Sequence, residues 1–148
     1  MNRRQFLGAA GTAVLPAFLP QAAFGAPPLL EFGELYSGRS VLGLTFSGKL
    51  KQLAGRKVRM RGFMAPPLKA EAPFFVLTGV PVSLCPFCNS DADWPEDIIM
   101  VLLGSGQDFV QNNCLIEVEG VLDIGSQVDE LTGFVSLVRL LDARFWKV

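Results

Sequence analysis

The plainest signal along the chain is alternation. In RKVRMRGFM, residues 56–64, Val58, Met60, Gly62 and Met64 interleave with Lys57, Arg59, Arg61 and Phe63. A period of two sends the first set to one face of a strand and the cations to the other. Ala65-Pro66-Pro67 stops it. Residues 74–82, FFVLTGVPV, predict a second strand with Pro81 near its end. IIMVLL, 98–103, is a short continuous apolar run between Pro95 and Gly104-Ser105-Gly106, the form of a strand buried on both faces. LIEVEGVLDIG, 115–125, alternates again, with Ile116, Val118, Gly120 and Leu122 inward and Glu117 and Glu119 outward. FVSLVRLLDARFW, 134–146, is long enough for a closing strand that bends.

Helix is scarce. Leu42, Phe46, Leu50 and Leu53 fall at roughly helical spacing, but Gly43 and Gly48 confine any helix to Lys49–Ala54, closed by Gly55. Residues 26–40 have no clear period, and 26–48 read as an extended lead-in to a domain over 49–148. Five strands, with a glycine inside at least two of them, predict a small all-β barrel, since glycine permits the coiling that closure needs. The five-stranded OB-like barrel is the expected architecture.

Composition adds a destination. Half of the 148 residues are hydrophobic and the net charge is −1, which fits one folded domain. Part of that apolar content belongs to a leader. MNRRQFLGAAGTAVLPAFLPQAAFGA carries Arg3-Arg4, then Phe6-Leu7 and an apolar run, and resembles a twin-arginine export signal. Pro16 and Pro20 interrupt the run, which falls short of the ~20 residues a spanning helix needs. Small residues at Ala23 and Gly25 place cleavage after Gly25, giving a signal peptide over 1–25, a periplasmic destination and no membrane span in the mature chain. Export by this route also implies folding before translocation. The mature chain has net charge −3, no electrostatic footprint for nucleic acid.

LAGRKVRMRGFMAPPL, the apolar strand leading to a cysteine, and CLIEVEGVLDIG…TGFVSLVRLLDA together resemble a family of uncharacterised exported bacterial proteins, over residues 50–142. The resemblance implies an OB-like barrel, often encoded beside an ABC transporter system implicated in metal import, and hence a transporter or another periplasmic protein as partner. Many members carry one cysteine followed by histidine and a proline run. This chain has CPFC instead, and no histidine.

The chemistry therefore falls to SLCPFCNSDADWPED, residues 83–97. Cys85 and Cys88 have the two-residue spacing of zinc ligands, with Asp91 or Asp93 as an oxygen donor and Cys114 as a third thiolate. Copper(I) is content with two or three thiolates. A thiol–disulfide exchanger would use Cys85 as nucleophile and Cys88 as resolving thiol, but nearby carboxylates raise a thiolate's pKa and the βαβ context is missing. A bridge that merely staples the loop of a non-catalytic interaction module is the third reading, favoured by an oxidising compartment. Without histidine no Ser–His or Cys–His hydrolytic pair exists. The expectation is an accessory protein, not an enzyme, that binds a soft metal, zinc or copper, at Cys85, Cys88, Asp91, Asp93 and Cys114. Trp94 is expected to anchor the loop over the barrel's end. The Lys57, Arg59 and Arg61 row is either a solvated face paired with Glu117 and Glu119 or a dock for an acidic partner.

Overall fold

A computed structural model describes residues 25–67, 72–106 and 108–148. All but the last residue of the expected signal peptide lies outside them. The elements run β1 (Tyr36–Ser40), β2 (Gly43–Phe46), α1 (Gly48–Leu53), β3 (Lys57–Met64), β4 (Phe74–Thr78), β5 (Ile98–Leu103), β6 (Leu115–Val128) and β7 (Val135–Lys147). Strands β3 to β7 close into a barrel in the order β3-β4-β5-β7-β6. All neighbours are antiparallel except β5 and β7. This is the small five-stranded, all-β barrel with one short helix that the alternation predicts.

The inward set is the expected one. Val58, Met60, Leu77, Ile99, Ile116, Val118 and Leu140 are fully buried. Helix α1 begins one residue before its expected start because Ser47 caps it: the Ser47 hydroxyl accepts the Leu50 N–H at 3.0 Å and donates to the Glu34 carbonyl at 2.6 Å. Strand β4 ends at Thr78, four residues short of the apolar run, where the Thr78 hydroxyl turns to the Val80 carbonyl at 2.6 Å. The bend of β7 falls at Asp142, whose φ of 49° is left-handed, next to register shifts on both flanking strands.

The lead-in is more built than its composition suggests. Residues 36–46 form an antiparallel hairpin, β1–β2, which turns through Val41 and Leu42 into Gly43 at φ 109°. Its strands are mostly exposed, so no alternation betrays them. Ahead of it, Leu30 N–H donates to the Arg59 carbonyl at 2.8 Å and Arg59 N–H to the Pro28 carbonyl at 2.9 Å. That extended segment lies along β3 where β4 does not reach, because β4 meets β3 only at Phe63 and Met64.

Two glycines mark the tight points of closure. A Cβ on Gly62 would stand 2.5 Å from the Thr78 carbonyl oxygen, and one on Gly120 would stand 3.0 Å from both Leu140 Cβ and the Leu141 carbonyl oxygen. On the outer face, Glu117 and Glu119 are buried rather than solvated. Arg59 and Arg61 grip the Glu117 carboxylate at 2.8 and 2.6 Å, and Lys57 and Arg144 flank Glu119 at 3.7 and 3.1 Å. One charge is buried more deeply still. Arg139 pairs with Asp123 at 2.8 Å and donates to the Gly125 and Ser136 carbonyls, leaving Nη2 without a partner.

These features generate two stability predictions. Gly62→Ala drives a methyl into backbone and should cost about 1–3 kcal/mol, the usual range for overpacking, whereas Gly48→Ala in open space at the start of α1 should not destabilise. Equal melting temperatures for the two variants would contradict the close approach. Hydrogen bonding by Arg61, with Arg59 behind it, holds the Glu117 carboxyl below its ordinary 4.5. Its contribution is thus present above pH 4.5 and lost as pH falls below that value. Glu117→Gln should cost about 1–2 kcal/mol at pH 7, between the values for exposed and buried pairs, and the difference from the parent should shrink in acid denaturation profiles.

Candidate functional site

The loop from Val80 to Asp97 crosses one end of the barrel between β4 and β5, and aromatic rings fix it there. Phe134, fully buried at the entrance to β7, packs against Phe87 at 5.9 Å, Trp94 at 6.1 Å and Phe74 at 5.8 Å between ring centroids. Trp94 is buried as a loop anchor, and its indole N–H donates to the Tyr36 hydroxyl at 2.7 Å. Tyr36 in turn stacks on Phe46. The hairpin β1–β2 is therefore part of the site's support, a role that the sequence does not announce. The backbone completes the anchorage: Val135 N–H donates to the Cys88 carbonyl at 2.9 Å.

Cys88 is buried and Cys85 half-buried, both as free thiols. The Cys88 thiol points to the Asp93 carbonyl at 3.7 Å, and the Cys85 thiol to the Pro86 carbonyl at 3.8 Å. Burial pushes both thiols up to about 11. Cys88 adds to the rise at Cys85, and the Asp93 charge adds to it at Cys88. The loop thus brings the two sulfurs within electrostatic reach of each other and keeps both protonated at neutral pH. A nucleophilic thiol needs the opposite, a depressed pKa beside a cation or a helix N-terminus. Here a single 3-10 turn, Asp91–Asp93, follows the pair in place of a helix.

The carboxylates face elsewhere. Asp91 accepts from the Ser126 hydroxyl, tying the loop to β6. Asp93 accepts from the Asn89 N–H at 3.2 Å and the Ser90 hydroxyl at 3.0 Å, closing its own turn. Cys114 sits half-buried before β6 with its thiol toward the Leu115 carbonyl. Among the described residues no three His, Cys, Asp or Glu side chains gather into a metal-holding group. The structure sets Cys85 within electrostatic reach of Cys88, and Cys88 within reach of Asp93, without gathering the three, and it turns Asp91 to Ser126. Beside the loop, a cleft of about 550 Å³ opens between the hairpin and the Asp91–Ala92 turn, walled by Arg39, Leu44, Phe46 and Ser126. None of the cysteines lines it.

Sequence reasoning missed Tyr36, Phe134 and Ser126. The solitary Arg139 inside an apolar strand was a readable flag, but its partners were not.

High thiol pKa values make a direct prediction. Iodoacetamide at pH 8 should modify Cys85 and Cys88 far more slowly than an ordinary thiol, with rates that keep rising to about pH 11. Peptide mapping after timed quenching reads this site by site. Rapid labelling of Cys85 at pH 7 would show an activated nucleophile instead.

Among known proteins, no family model matches the chain, and no curated protein matches it. In fold it is similar to a DUF3299 family protein from Pseudomonas aeruginosa PAO1, with a TM-score of 0.56 at 14% sequence identity, over 84% of this chain and 97% of that one. At that identity the likeness speaks to the fold alone.

Proposed function

We propose that this is an exported periplasmic barrel that binds a soft cation between Cys85 and Cys88 as an accessory to a transport system. The observation that supports the reading is the pairing of two free thiols on a loop held by Phe134, Trp94 and the Cys88 carbonyl. Such anchorage would let one loop offer two sulfur ligands to the same cation. The donor set favours copper(I) over zinc. Two thiolates suffice for copper(I), whereas a structural zinc site takes four ligands, and the Asp91 and Asp93 carboxylates are engaged by Ser126, Ser90 and the Asn89 N–H. The leader sequence supports export, and the resemblance to exported proteins encoded beside metal-import transporters supports the accessory role. Thiol–disulfide exchange has less support, because both thiols are raised rather than activated.

Protons should be the main competitor of the metal. With both thiols near 11, binding that releases two protons should tighten by about a hundredfold for each unit of rising pH below that value. Competition with a copper(I) chelator on reduced protein measures it. The expected result is one equivalent bound, abolished by Cys85→Ser and by Cys88→Ser and retained by Cys114→Ser. Failure of the reduced protein to take up copper(I) or zinc would end the metal reading. An air-oxidised pair that resists mild reductant would indicate a staple, and turnover with a dithiol substrate would indicate an exchanger.

A further inference from the structure

The outer face of β3, β6 and β7 is organised in rows by strand register. Arg61 lies opposite Glu117 and Glu117 opposite Trp146; Arg59 lies opposite Glu119 and Glu119 opposite Arg144. Residues directly opposite in antiparallel strands share a face, so these side chains stand together. Their exposure is unequal. Both carboxylates are covered, while the cations reach solvent: side-chain exposure is 49% for Arg61, 56% for Lys57 and 69% for Arg144. Against four cations stand the two buried carboxylates and the exposed Asp142, which lies by Lys57 and Arg144. This face thus keeps one net positive charge in a chain whose net charge is negative, with Arg61 on the side away from Asp142. The row beyond Arg61 is apolar, with Phe63 opposite Leu115, and Val148 joined to Leu115 through its N–H. Trp146 and Val148 are exposed there.

We propose that this face docks an acidic segment of a partner protein, with its carboxylates on Lys57, Arg61 and Arg144 and an apolar residue against Trp146. Charge complementarity selects the occupant, and an arginine- and tryptophan-bearing patch is the composition that carries binding energy at protein interfaces. Strand addition is not the mode, because β6 lies between two paired strands. An anionic membrane is less well matched, since apolar contact is confined to one end of the face. The inference stands independently of Cys85 and Cys88, which lie on the loop between β4 and β5.

The test uses the purified protein and a fluorescein-labelled glutamate-rich peptide ending in two leucines, read by anisotropy at low ionic strength. A lysine counterpart and phosphatidylglycerol vesicles are run in parallel. The acidic peptide should bind and the lysine peptide should not. Lys57→Glu and Arg144→Glu should each weaken binding by about tenfold, and salt at ~0.15 M should weaken it further. Arg39→Glu, on the hairpin, should leave binding unchanged. Bound peptide should shield Trp146 from iodide, a signal the buried Trp94 does not give. No peptide binding, equal binding of both peptides, insensitivity to the two charge reversals, or binding of vesicles alone would each overturn the proposal.

Discussion

The rest of the structure depends on how β3 shares its two edges. Along one side it pairs with β6 from Lys57 to Phe63; along the other it meets β4 only at Phe63 and Met64. A closed sheet leaves no tolerance at such a corner, and Gly62 supplies the missing side chain where the Thr78 carbonyl comes in. The stretch of β3 that β4 leaves bare would be an open edge, and backbone from Pro28 to Leu30 covers it. The lead-in is therefore a structural member. It also delivers Tyr36 to Trp94, so the constraint at β3 and the placement of the cysteine loop are linked through one continuous piece of chain.

The barrel was legible because its strands obey one rule. Alternation at 57–64 and 115–122 and the unbroken run at 98–103 report burial on one face or both, and burial is what composition records. The hairpin β1–β2 was not legible for the same reason in reverse. Its residues are mostly exposed, so the pattern holds no contrast, and only Gly43 at positive φ marks the turn. Glu117 and Glu119 illustrate a subtler limit. Facing outward was correct, yet long arginine side chains fold over them, and a two-state pattern of inside and outside has no symbol for a covered surface.

The candidate site was legible as a stretch of sequence and not as a constellation. CPFC identifies itself by spacing, and the structure leaves the two thiols within electrostatic reach while each points to its own carbonyl. Asp91 and Asp93 were grouped with them by proximity along the chain, and Cys114 because barrel closure could bring it near the loop; neither ground says where side chains point. Two hydroxyls and one backbone N–H decided that for the carboxylates. The raised thiol pKa values come from burial, and the aromatic hub that holds the loop has its central member, Phe134, 46 residues beyond Cys88.

Strand order carries a kinetic consequence. The last strand in the chain, β7, does not add to an outer edge of the sheet; it inserts between β5 and β6. Until it arrives, both of those strands present unpaired backbone, and β5 among them is wholly apolar. Partly assembled chains thus display two adhesive edges at once, the condition under which intermediates associate with each other instead of completing themselves. A sequence with this order gains from finishing its fold in a single sheltered episode, before it meets other copies at high concentration.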